Sequence, residues 1–445
     1  MKKQADAPGY QRWKRGVFRY LRWLVPGLGV KRWFLVVLLG TMLVGVGAAL
    51  LVLDVYRTAP ETWWLPLLSY ASLRFLPRLA RVLIFGSLGF GVLFFGIWKL
   101  NQVLIAPFAP HGRRVVDALA DHRRRERGPR IVAIGGGHGL STLLRGLKEY
   151  THNLTAIVTV ADDGGSSGRL RRTMGILPPG DIRACLAALS DDETMLTQLF
   201  QYRFPDGDGG LEGHSFGNLF VSALAEITGS FEEAIAESGR VLSVNGRVLP
   251  STLHDVRLEA DVVLPYLVSE VRIEGESQIP ESAGKVRRVW LNPNAPLAFP
   301  KAIQKILAAE MILIGPGSLY TSILPNLLVP DIAAAIRSSK AFKVFICNVA
   351  TEPGETDGYS CGDHVRALEE HVGHGLFDLV LSNRSCEGAL PEGIQWVVAD
   401  DEVAEDHPVL RADLLDAAYA WRHDSAKLAR VLIDLLQERT GPLVE

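Results

Sequence analysis

IVAIGGGHGLST, Ile131 to Thr142, reads as a short β-branched strand, a glycine corner and the first turn of an amphipathic helix. Glycine at such a corner admits positive φ and lets backbone N–H groups approach an anion, and the helix that follows adds the positive end of its dipole. Phosphate is the expected occupant of the corner. A plain strand-to-helix connection is the simpler alternative. The spacing also misses both familiar fingerprints. Counted from Gly135 or Gly137, the third glycine of G-x-G-x-x-G falls on Leu140 or Thr142, and no G-K-[ST] follows.

Similar turns recur downstream. A strand over Leu154 to Val160 runs into Asp162, Asp163, Gly164, Gly165, Ser166 and Ser167, which places two carboxylates at a carboxy-terminal strand edge, where open α/β sheets bind ligands. Asp162 and Asp163 can hold a ribose hydroxyl, a divalent cation such as Mg²⁺ bridging phosphates, or a substrate proton, and both serines can donate to phosphate. The bland alternative is a solvated Asx and glycine turn. Asp181, after Pro178-Pro179-Gly180, reads as the N-cap of an apolar helix. His214 and Asn218 lie four apart and are expected on one helical face, turned to a ligand. The strand Met311 to Ile314 enters Gly315, Gly317 and Ser318, a second phosphate-type corner, and Lys343 to Val349 and Asp378 to Asn383 supply further strand edges.

Strands alternating with helices predict an α/β fold, a doubly wound parallel sheet with helices on both faces. Residues 240 to 300 read as a small β-rich insertion. The soluble domain is expected over 130–445, after a charged linker at 111–129.

Residues 1–110 differ in composition. The chain has 445 residues and 48% hydrophobic content, and the excess sits before residue 110. Uncharged runs at 33–53 and 82–98 predict a membrane hairpin of two helices, the first long enough to cross about 30 Å of hydrocarbon. Basic residues before the first run and after the second place the N-terminus and the soluble domain on the cytoplasmic side of the cell membrane. A cleavable signal peptide fits less well, because no small-residue site closes the first run. With 47 basic and 49 acidic residues, no global field attracts nucleic acid. Membrane lipid is the expected partner of the basic flanks. The four cysteines, Cys185, Cys347, Cys361 and Cys386, lack zinc-knuckle spacing.

GGGHGLSTLLRGLK, VTVADDGGSSGRLR, PPGDIRACLAAL, GHSFGNL, IGPGSLYTSILPNLLV, CNVATEPGETDGYS and a C-terminal RHD, in this order, closely resemble the YvcK family. These are the gluconeogenesis factors, within the superfamily of the 2-phospho-L-lactate transferase CofD. The resemblance implies a Rossmann-like fold and a UDP-sugar site, UDP-N-acetylglucosamine being the implied ligand. It also implies a regulatory role in cell shape and envelope synthesis during gluconeogenic growth, with protein partners there. On the matching motifs Gly136, Gly137, Gly139, Asp162, Asp163, Ser166, Ser167, Gly315, Gly317 and Ser318 would surround the nucleotide phosphates and ribose, and Arg422, beside His423 and Asp424, would be a further ligand contact. His138 departs from the threonine of many members, and compact members have no membrane hairpin. No nucleophile with an adjacent base is visible, so binding without a required cofactor is favoured. The alternative is a CofD-like transferase moving a phospho-lactyl type group from a nucleotide diphosphate, with Mg²⁺ at Asp162 or Asp163 as the catalytic candidates.

Overall fold

The computed structural model describes residues 128–440 apart from 191–194, 206–209, 265–268 and 283, together with 75–105 and scattered positions outside these ranges. Seven parallel strands form one sheet: β1 (Ile131–Gly135), β2 (Leu154–Val158), β3 (Arg247–Pro250), β7 (Met311–Ile314), β8 (Phe342–Ile346), β9 (Leu379–Asn383) and β10 (Val409–Ala412). Their order is β3-β2-β1-β7-β8-β9-β10, and every neighbouring pair is parallel. The chain builds outward from β1 in one direction and from β7 in the other, so the order reverses between these two strands. In an open α/β sheet the crevice outside the carboxy ends at such a reversal is where ligands bind.

β1 and β7 are apolar without alternation because helices cover both faces; Ile131, Ala133, Ile134 and all four residues of β7 are fully buried. β2 ends two residues before the expected Val160. Thr159 leaves the ladder and its hydroxyl accepts from the Ala161 N–H at 3.2 Å, opening the corner that carries Asp162. β8 likewise stops at Ile346, short of Val349, and frees Asn348 to turn toward β7. The β-rich insertion is an antiparallel sheet ordered β5-β4-β6, built from β4 (Arg257–Val263), β5 (Glu270–Glu274) and β6 (Lys285–Asn292).

The chain divides into two compact units, Met1–Ala109 and Pro110–Glu445. Most of the expected span at 33–53 lies outside the described residues; its described positions, Thr41 and Met42 among them, are helical. The second falls within one helix, Arg78–Ile105, whose apolar part is Leu79–Phe95, and among the described residues no single helix is long and apolar enough to cross a membrane.

Candidate functional site

The corners after β1 and β7 pack on each other. A Cβ on Gly139 would stand 2.5 Å from the Pro316 carbonyl oxygen and 2.9 Å from the Gly317 Cα. Both corners therefore lie on one rim, at the reversal. Their glycines do different things. Gly315 (φ 80°) and Gly317 (φ 154°) shape the β7 corner, and Asn348 closes it: its Oδ1 accepts from the Gly317 N–H at 3.2 Å and its Nδ2 donates to the Gly317 carbonyl at 3.0 Å. That amide is satisfied internally. Asn326 locks the β1 corner by donating to the Gly135 carbonyl at 2.9 Å. Gly137 (φ 61°) opens the helix Gly137–Leu147.

Between the β1 corner and the loop after β2 lies a cavity of about 260 Å³. Of the residues singled out in the sequence, Gly137, His138, Asp162, Gly164, Gly165, Ser166, Ser167, Asp181 and Asn218 line it, and Arg183 and Arg203 add two cations to the wall. Ser166 and Ser167 sit in the first turn of the helix Gly165–Met174, where unpaired backbone donors favour an anion. Asn218 is buried and donates to Ser166 Oγ at 3.1 Å. Its Oδ1 has no partner, nor does the Arg183 Nε. A buried acceptor and a buried donor left open on one cavity wall are costly unless something fills them.

Other expected residues stand behind this wall. His214 precedes the helix Phe216–Thr228, which Ser215 caps, so it does not share a helical face with Asn218 as its spacing suggested. It contacts Ser166 Oγ at 3.0 Å and accepts from Arg169 Nε at 3.2 Å, bracing the serine. Asp163 turns away, its Oδ1 accepting from the Ser277 N–H of the insertion at 3.0 Å. Gly136, Gly139, Gly315, Gly317 and Ser318 shape or support the corners rather than line the cavity.

Asp181 is not the expected N-cap. Pro179 holds that position and Asp181 lies within the helix Gly180–Leu189. Its carboxyl instead reaches across to accept from the Gly137 N–H, and burial, with the charge of Asp162 next, pushes its pKa up to about 7. A carboxyl thus occupies the amide that phosphate was expected to take. Glu276, brought by the insertion, is raised as well, by burial first and then by Asp162 and Asp181. No local pattern marked Glu276, because only the insertion's fold delivers it.

The opposite side is cationic. Burial, and then the guanidiniums of Arg422, Arg183, Arg145 and Arg203, hold the His138 imidazole below its usual range, so it is neutral at pH 7. Arg422 comes from the C-terminal segment and stacks on Tyr419 at 5.2 Å. Two guanidiniums, of Arg183 and Arg203, and a pair of acids in one wall suit a phosphorylated ligand on one side and a hydroxyl-bearing group or cation on the other.

The described residues contain no group of three or more His, Cys, Asp or Glu placed to hold a metal ion. Asp162 and Asp181 both line the cavity and the charge of one acts on the other; two carboxyls suffice only where substrate phosphates and water complete the shell, as Mg²⁺ permits.

Comparison with known proteins agrees with this architecture. Residues 131–440 match the family described as 2-phospho-L-lactate transferase CofD. A relative from Nostoc sp. is 47% identical over 439 residues, covering 94% of this chain and 92% of its own. The gluconeogenesis factor of Bacillus subtilis is 46% identical over 322 residues, covering 70% of this chain and 99% of its own. A crystal structure of a UPF0052 family member from Bacillus halodurans superposes with a TM-score of 0.64 at 41% identity, over 69% of this chain and 99% of that one. The chain belongs to the gluconeogenesis factor family, within the CofD superfamily.

Proposed function

We propose that this protein is a UDP-sugar sensor, with UDP-N-acetylglucosamine as ligand, that regulates envelope synthesis from the membrane. The observation that carries the reading is the cavity at the β1/β7 reversal. Guanidiniums of Arg183 and Arg203 line it, and with Arg422 they act on a neutral His138, beside a helix start bearing two serines and an unpartnered buried Asn218 oxygen. The diphosphate meets the arginines and the Gly165–Met174 helix start, and Asn218 Oδ1 accepts from a base or sugar donor. Asp162 takes a ribose or sugar hydroxyl.

Calorimetry of the purified protein with UDP-N-acetylglucosamine tests this. Ligand at a hundred times its Kd is expected to add about 2.7 kcal/mol of stability; no heat and no thermal shift at millimolar ligand removes the proposal. Arg203 is exposed, and its Nη1 donates to the Gly213 carbonyl at 3.0 Å. Loss of one charge-assisted phosphate contact costs about 1.5–3 kcal/mol, so Arg203→Gln is expected to raise Kd at least about tenfold with an unchanged melting temperature. An unchanged Kd would take Arg203 out of the site.

Membrane anchoring belongs to the same proposal. Leu83, Leu88, Phe90, Val92 and Phe94 of the helix Arg78–Ile105 are all more than half exposed, an apolar surface of the kind that lipid covers. Extraction of membranes with alkaline carbonate is expected to leave the chain in the pellet; release into the supernatant contradicts anchoring.

The two acids of one cavity, Asp162 and Asp181, favour one second reading, a CofD-type group transfer with Mg²⁺. The metal would neutralise charge developing on the leaving phosphate, and the chain's own part would be to hold the donor's diphosphate on the arginines. Product mass after incubation with nucleotide diphosphate donors and Mg²⁺ separates the two readings, since only the transferase consumes its donor.

A further inference from the structure

The other rim of the sheet carries a second cavity, of about 270 Å³, at the amino ends of β1, β2 and β3. Arg130 precedes β1, Arg247 begins β3, and Lys305 comes from the last turn of the helix Pro300–Leu307. No residue lining the cavity is acidic. Glu310 stands at its edge, accepting from the Arg130 N–H at 2.7 Å with Arg130 Nε at 3.6 Å. Among the described residues neither Arg247 nor Lys305 has a carboxylate partner. Burial, and then the charges of Arg247 and Arg130, hold the Lys305 ammonium below its ordinary range. Three cations against one carboxylate repel one another, and an anion placed among them relieves that repulsion.

We propose that this amino-rim cavity is a second anion site that takes a phosphate-bearing ligand, separate from the cavity at the β1/β7 reversal. Helices of a parallel sheet present their negative ends at this rim, so side-chain charge rather than a helix dipole holds the anion. Arginine suits this because its fork matches phosphate oxygens bidentately. The phosphate can be carried by a soluble diphosphate or by a lipid headgroup, since both would offer Arg130, Arg247 and Lys305 the same phosphate oxygens.

The test uses the full-length chain in mild detergent and an Arg247→Gln, Lys305→Gln variant, with Arg247→Lys as a charge-preserving control. Inorganic pyrophosphate is titrated by calorimetry at low salt. The double variant is expected to bind one equivalent less than the parent, and Arg247→Lys to keep that equivalent. Flotation with phosphatidylglycerol or phosphatidylcholine vesicles forms the other arm. A deficit with pyrophosphate assigns a soluble ligand. Variant-dependent flotation on phosphatidylglycerol alone assigns a lipid phosphate. Equal behaviour of parent and double variant in both arms overturns the site. Binding of UDP-N-acetylglucosamine, at the opposite rim, stays the same in every variant, so its failure is read independently.

Discussion

Gly139→Ala is expected to destabilise the protein by about 1–3 kcal/mol and to abolish ligand binding even at temperatures where the variant stays folded. The added Cβ would meet the Pro316 oxygen at 2.5 Å, the Pro316 carbonyl carbon at 2.8 Å and the Gly317 Cα at 2.9 Å. All three atoms belong to backbone, and neither neighbouring strand can shift without breaking its pairing with the other. Overpacking of that kind costs about 1–3 kcal/mol, and relief comes only by prising the two corners apart, which distorts the start of the helix Gly137–Leu147. Gly358 is the comparison. Its φ is positive, at 74°, unlike that of the helical Gly139, but nothing lies within 4 Å of a Cβ there, so Gly358→Asn, a residue that tolerates this backbone, is expected to cost far less. Chemical denaturation of the three proteins checks this; equal midpoints for Gly139→Ala and Gly358→Asn would mean that the corners do not touch.

The second large effect is pH-dependent. In the unfolded chain Asp181 ionises near 3.8, whereas in the folded protein it holds its proton up to about 7. The folded state therefore binds the proton more tightly across that window, and the parent loses stability as pH climbs through it. The loss reaches at most about 4 kcal/mol. Asn at this position still accepts from the Gly137 N–H but does not ionise. Asp181→Asn is expected to match the parent near pH 4 and to exceed its stability at pH 8, while weakening any Mg²⁺-dependent binding. A gain in stability with a loss in function is the pattern of a strained functional group. Melting temperatures across this range that run parallel in the two proteins would show that Asp181 is not held protonated.

Much of the frame was legible because central parallel strands are buried on both faces and read as unbroken apolar runs. Met311 to Ile314 falls on β7 residue for residue, and Ile131 to Ile134 falls inside β1. Glycine corners were legible for the same local reason, since positive φ leaves a mark in composition. What escaped was delivered from a distance. Arg183, Arg203 and Glu276 reach the cavity region by way of a helix, an irregular loop and the insertion, and nothing beside them in sequence announces it. Asp181 misled because an acid at a helix start ordinarily caps its own helix; here Gly180 brings its backbone so close to Ser167 that a Cβ would stand 2.4 Å from Oγ, and the carboxyl serves the neighbouring helix instead. The Gly315–Gly317 corner was read as a second phosphate cradle because sequence does not reveal that Asn348 takes its amide.

A crystal structure of the protein grown with UDP-N-acetylglucosamine tests the central claim most directly. The diphosphate is expected between the first turn of the helix Gly165–Met174 and the guanidiniums of Arg183 and Arg203, with Asn218 Oδ1 within hydrogen-bond distance of the ligand. Density for the nucleotide anywhere other than the carboxy rim beside β1, or a rim left empty at saturating ligand, would contradict the account.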